Sequence, residues 1–134
     1  FKTISRYSHL KNPDKHINEI SRKMNISHLK KRKMKSLTPG ELRWVVLATQ
    51  IAVDSKVLFI DEYEQHLGKV NLNKLNNILY RKINYDGITL ITTTQNKELF
   101  NRLASVIITL ENGRITSLRS FSKKKDNYRN KKRK

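Results

Sequence analysis

Cysteine is absent from this 134-residue chain, which removes disulfides and thiolate metal sites and fits a reducing compartment. Acidic residues are scarce, 11 Asp and Glu against 29 Lys and Arg, for a net charge of +18. That imbalance implies a polyanionic partner. No apolar run reaches the roughly 18 residues of a membrane helix, and no signal peptide is visible. The first residue is Phe1 and not Met, which leaves open a processed chain or a piece of a longer one. A hydrophobic content of 37% suits one compact domain with a core and not two.

The cations are clustered. Lys30, Lys31, Arg32, Lys33 and Lys35 form one group, and residues 123–134 carry eight Lys or Arg against one Asp. The tail from Lys123 has no apolar residue except Tyr128 and is expected to be disordered when free. Upstream, Asn12-Pro13-Asp14 reads as a helix start, with Ile17, Ile20 and Met24 forming one apolar stripe at spacings of three and four. A short basic helix or loop is expected to about Lys35. A helix to about Val53, a strand over 56–60, a helix over 71–83 and a strand over 88–93 follow. After them come a short helix over 97–103 and strands over 106–110 and 114–118, the last two joined by the Asn112-Gly113 turn. Alternating strands and helices predict an α/β fold with a mostly parallel sheet flanked by helices.

Two segments carry chemistry. Thr38-Pro39-Gly40-Glu41 has the form of a capping box, with Thr38 capping the Glu41 N–H, Pro39 at the first helical position and Glu41 reaching back. Val57-Leu58-Phe59-Ile60-Asp61-Glu62 is an apolar strand ending in two carboxylates, placed where open α/β sheets bind ligands. One carboxylate suits Mg²⁺ and the next suits orienting an attacking water, a pattern that points to nucleoside triphosphate chemistry. Taken singly, the first is an ordinary helix cap and the second a solvated strand end. His66 has no partner at metal-ligand spacing and reads as a loop or packing residue, and Trp44 reads as core.

Order and spacing extend the pattern. Residues from about Ile17 to Ser117 resemble the C-terminal half of an ATP-binding cassette (ABC) ATPase. Leu37-Thr38-Pro39-Gly40-Glu41 is similar to the family signature Leu-Ser-Gly-Gly-Gln/Glu and precedes Asp61 by 24 positions, the family interval. Val57 to Asp61 resembles the Walker B strand, with Glu62 at the catalytic glutamate. Gln65-His66-Leu67-Gly68 stands at the D-loop, Thr94-Gln95-Asn96 at the Thr-His-Asp switch, and Leu110 to Ile115 at the closing hairpin. The resemblance implies a P-loop NTPase-like core over 37–120, a small helical subdomain over 1–36 and a basic tail over 121–134. It implies ATP and Mg²⁺ as cofactors, Asp61 as the metal residue, and Glu62 and Gln95 as catalytic residues. Thr38, Gly40 and Glu41 would bind nucleotide held by a second cassette.

The departures are specific. None of the four glycines lies in a Gly-x-x-x-x-Gly-Lys-Ser/Thr loop, so these residues alone should not hold ATP tightly. Pro39 replaces a glycine, Tyr63 the proline after the glutamate, Gly68 the D-loop aspartate and Gln95 the switch histidine. Gln95 retains hydrogen bonding without the imidazolium charge, and slow or conditional hydrolysis is expected. The leading functional expectation is the ATP-binding subunit of a membrane complex, a transporter or cell-division-type cassette, peripheral at the cytoplasmic face and paired with a second cassette and a transmembrane subunit. Its basic tail would contact anionic lipid or nucleic acid phosphate. The alternatives are a ribosome-associated translation-type cassette, a DNA-repair or defence ATPase, and a degenerate structural cassette.

Overall fold

The structure, a computed structural model, describes residues 11–100 and 102–121. The first ten residues and the basic tail expected from Lys123 lie outside them. The chain divides into two compact units between Lys97 and Glu98. Composition suggested one domain. The hairpin that follows the boundary has its own ladder, and this makes it a separate unit.

In the first unit, α1 (Pro13–Lys23) starts on a proline, with Asp14 in its first turn and Arg22 and Lys23 in its last, matching the helix dipole. Asn12 precedes it without a side-chain cap. Asn25 turns left-handed at φ 55, and the Ile26 N–H reaches back to the Ser21 carbonyl at 2.9 Å, a Schellman-type stop. Ile17, Ile20 and Met24 are buried as the stripe requires. Short 3-10 turns at Ser27–Leu29 and Met34–Ser36 occupy the basic stretch.

Helix α2 (Pro39–Ala52) begins on the complete capping box: Glu41 N–H donates to Thr38 Oγ1 at 3.2 Å, and Thr38 N–H donates to Glu41 Oε2 at 2.9 Å. It buries Trp44, Leu47, Ala48 and Ile51. The Trp44 indole donates to the Met24 carbonyl at 2.9 Å, joining α2 to the end of α1.

Strand β1 (Val57–Ile60) pairs in parallel with β2 (Thr89–Thr92), Phe59 opposite Ile91 and Ile60 opposite Thr92. Helix α3 (Lys69–Tyr85) is the crossover and buries Leu75 and Leu79 completely. It starts two residues before the expected Asn71, because Gly68 in extended conformation serves as its N-cap and accepts from the Leu72 N–H at 3.0 Å. The pair β1–β2 has one buried face, with Leu58 and Ile60, and one open face, on which Phe59 is 71% and Ile91 50% exposed.

The second unit holds β3 (Val106–Glu111) and β4 (Arg114–Ser120), an antiparallel pair. Asn112 at φ 49 and Gly113 at φ 73 make its turn, as Asn-Gly implies. The helix expected over 97–103 is only a 3-10 turn, Lys97–Phe100: the Leu103 and Ala104 N–H groups both close onto the Phe100 carbonyl, and the chain turns before an α-helical ladder is established. The fold is α/β, its parallel part being β1–β2.

Candidate functional site

Asp61 and Glu62 follow directly on β1, and Thr93 to Gln95 follow on β2. The parallel register brings these two segments to one sheet edge. Thr93 continues the ladder, its N–H donating to the Ile60 carbonyl at 3.2 Å. The Thr93 hydroxyl donates to Asp61 Oδ1 and accepts the Glu62 N–H, the latter at 2.9 Å. Gln95 Nε2 donates to Glu62 Oε1 at 3.2 Å. A third carboxylate, Glu64, accepts on Oε1 from the Thr94 hydroxyl and from the Gln95 N–H.

Glu62 sits at φ 41, a left-handed conformation that costs a non-glycine residue about 1–2 kcal/mol. The surroundings hold it there. Arg43, one turn into α2, donates Nη2 to the Asp61 and Glu62 carbonyls, at 3.2 Å for the latter. Tyr63 is wholly buried and donates its hydroxyl to Asn76 Oδ1 at 2.8 Å. Burial pushes the Tyr63 phenol above its ordinary range, with the Asn76 hydrogen bond opposing. The position that departs from the family proline thus anchors the loop.

Thr38, Gly40 and Glu41 lie together in the first turn of α2. The backbone hydrogen bond from Thr38 holds the Glu41 carboxyl below the usual range, aided by Arg32, whose Nη1 lies 2.8 Å from Glu41 Oε1. A Cβ on Gly40 would lie 3.0 Å from the His66 carbonyl oxygen, so the D-loop segment closely approaches this turn. His66 acts there through its backbone. Among the described residues, none of Thr38, Gly40 and Glu41 bonds to Asp61, Glu62 or Gln95; Arg43 links α2 to the backbone carbonyls of Asp61 and Glu62. A cleft of about 410 Å³ opens beside the turn, lined by Met24, Leu29, Gly40, Trp44, His66 and Lys74 among others. No group of three His, Asp or Glu able to hold a metal by itself occurs among the described residues. Asp61 is exposed at the strand end. An exposed carboxylate of this kind suits Mg²⁺, which usually keeps several waters and takes one or two carboxylates plus substrate phosphate.

No protein-family model matches the chain. It is 30% identical over 105 residues to the cell division ATP-binding protein FtsE of Streptococcus pneumoniae, covering 78% of this chain and 45% of that protein. It is 30% identical over 104 residues to a putative ABC transporter ATP-binding protein of Methanosarcina mazei, covering 78% of this chain and 21% of that protein. Over about 78% of its length the chain is similar to ATP-binding cassette proteins. Among solved structures, the dimeric bacterial ABC transporter cassette MJ0796 superposes with a TM-score of 0.71 at 20% identity, covering 79% of this chain and 46% of that one. A putative metal-chelate type ABC transporter in an inward-facing conformation superposes at 0.67 and 21% identity, covering 89% and 47%. The chain therefore spans from about a fifth to about a half of the length of these relatives.

Around the carboxylates, the structural parts played by Glu64, Arg43, Tyr63 and Thr93 are not legible in the sequence motifs. Glu64 carried a signal, a second acid two places after Asp-Glu. Tyr63 stood out as a departure from the family proline, but not as a buried anchor; Arg43 and Thr93 carried no signal, because three consecutive threonines and a lone arginine do not say which one the fold turns inward.

Proposed function

We propose that this chain supplies the signature helix and Walker B carboxylates of an ATP-binding subunit in a membrane complex of transporter or cell-division type. The observation that carries the reading is the bonding of Asp61, Glu62 and Gln95 across the ends of two parallel strands. Glu62 orients the attacking water and accepts its proton, and Gln95 holds the Glu62 carboxylate while presenting a neutral donor to the γ-phosphate. Asp61 would hold Mg²⁺ through water, with Thr93 fixing one of its oxygens; the ion supplies charge neutralisation of the phosphates. Thr38, Gly40 and Glu41 present the α2 N-terminus to nucleotide bound by a second cassette, where the helix dipole favours an anion.

ATP binding itself needs a phosphate-loop half that the chain does not contain. The open β1–β2 face, with Phe59 and Ile91 exposed side by side, supports its completion by that half, since a two-stranded sheet is marginal alone. The helical segment up to Ser36 would serve the transmembrane partner, and the cationic tail would lie on anionic lipid at the cytoplasmic face. No helix of the described residues is long and apolar enough to cross a membrane.

In the assembled protein that includes the phosphate-loop half, Glu62→Gln should reduce ATP turnover by about a hundredfold or more while nucleotide binding is kept. Unchanged turnover with intact binding would remove the catalytic role and leave a structural cassette.

A further inference from the structure

The switch position holds a neutral amide. A protonated histidine would be drawn to Glu62 by charge, whereas the exposed Gln95 side chain has no such attraction. Its aim must come from where its backbone is held. One oxygen of Glu64 holds it: Oε1 accepts the Gln95 N–H at 3.2 Å and also takes the neighbouring Thr94 hydroxyl. Asn96 N–H closes onto the same hydroxyl at 2.9 Å, so three consecutive residues of the switch loop gather around a single carboxylate. Between Glu62 and Glu64 stands the buried Tyr63, which places the two acids on either side of a fixed pivot.

The other oxygen of Glu64 is buried without a hydrogen-bond partner. A half-satisfied carboxylate in a partly buried place is unfavourable for stability alone. A purely structural role would be served as well by an apolar side chain packed at this position. We propose that Glu64 is a positioning residue that sets Gln95 against Glu62, substituting a geometric constraint for the missing charge of the switch. The proposal rests on the reading of Glu62 and Gln95 as the acting pair, but its first test does not.

That test follows Gln95 by NMR in the assembled protein that includes the phosphate-loop half. In Glu64→Ala the Gln95 backbone amide should exchange about tenfold faster or more, and its side-chain NH₂ signals should move to free-glutamine positions, while the Leu75 and Leu79 amides keep their protection. Glu64→Gln keeps a carbonyl acceptor and should restore part of the Gln95 protection. Thr94→Val removes one donor only and should leave the Gln95 N–H to Glu64 bond in place, with smaller shifts. Unmoved Gln95 signals in Glu64→Ala overturn the proposal, as does loss of protection at Leu75 and Leu79 equal to that at Gln95. Should Glu64→Ala not fold, Glu64→Leu, which fills the space without an acceptor, decides in its place: unmoved Gln95 signals in that folded variant overturn the proposal, and free-glutamine positions with Leu75 and Leu79 still protected support it.

In the assembled cassette, Glu64→Ala should lower kcat about tenfold with the KM for ATP unchanged, and have a clearly smaller effect on a Glu62→Gln background. A full further drop of about tenfold on that background overturns the proposal. If Glu62→Gln leaves turnover unchanged, the catalytic reading fails, while the NMR result still decides whether Glu64 positions Gln95.

Discussion

The first turn of α2 and the carboxylate end of β1 are both candidate phosphate-facing elements, yet they are held in opposite ways. The α2 turn is held by bonds that span three residues, Thr38 to Glu41 and back. The β1 end is held by residues 18 to 33 positions away: Arg43, Thr93, Thr94 and Gln95. A locally closed turn forms wherever its few residues occur, and a remotely closed one exists only after the strands have paired. The two should therefore respond differently to mutation.

Tyr63 tests the remote end most severely. Tyr63→Ala should lower stability by about 3–5 kcal/mol, read by urea unfolding, because a wholly buried aromatic leaves a cavity under the carboxylates. Tyr63→Phe should cost about 1 kcal/mol, for the lost bond to Asn76. A small effect of Tyr63→Ala would mean that the β1 end is held mainly by its surface bonds, and the contrast with α2 would weaken.

A smaller loss is expected at the local end. Thr38→Ala should cost about 1 kcal/mol, with Thr38→Ser nearly neutral, both measured by thermal unfolding. In both variants the NMR shifts of Thr93 and Gln95 should stay in place. Movement of those signals would show that the capping turn and the carboxylate end are one unit.

The smallest effect concerns the ion pairs that join the turn after α2 to α3. Lys82 Nζ lies 2.5 Å from Asp54 and 3.0 Å from Asp86. The Lys82 hydrogen bond holds the Asp54 carboxyl below its ordinary value. Burial opposes the Lys82 charge, but its bonds to both acids prevail and raise its pKa. Asp54 thus contributes stability that is present above the unfolded carboxylate pKa and lost as pH falls through the lower folded value. Lys82 contributes stability present below the unfolded lysine pKa and lost as pH rises through the higher folded one. The melting temperature of Lys82→Met against pH should be flatter than wild type at both ends, with differences below about 1 kcal/mol for such exposed partners. A parallel pair of curves would show that the ion pairs add nothing.

Much of the molecule is legible in its residues. The α1 stripe of Ile17, Ile20 and Met24, the Thr38–Glu41 box, the apolar run into Asp61-Glu62 and the Asn112-Gly113 turn each state a local structure, and each forms within a residue or two of expectation. The earlier start of α3 is not legible in sequence, because Gly68 has no capping side chain and becomes a cap only through its backbone conformation. Over 97–103 the pattern predicts more helix than forms, because a short run with a few apolar residues does not distinguish an α-turn from a 3-10 turn.

At the candidate site, the linear order of residues dictates which side chains are available and how the local turns close. Capping, strand-end carboxylates and an Asn-Gly turn depend on neighbours within a few positions, and a linear pattern records them. That Thr93 holds Asp61, that Arg43 props the left-handed Glu62 and that Glu64 gathers the switch loop follows from the folded arrangement alone. Those contacts depend on the register of β1 on β2, and register is set by the packing of Leu58, Ile60, Leu75 and Leu79 in a shared core.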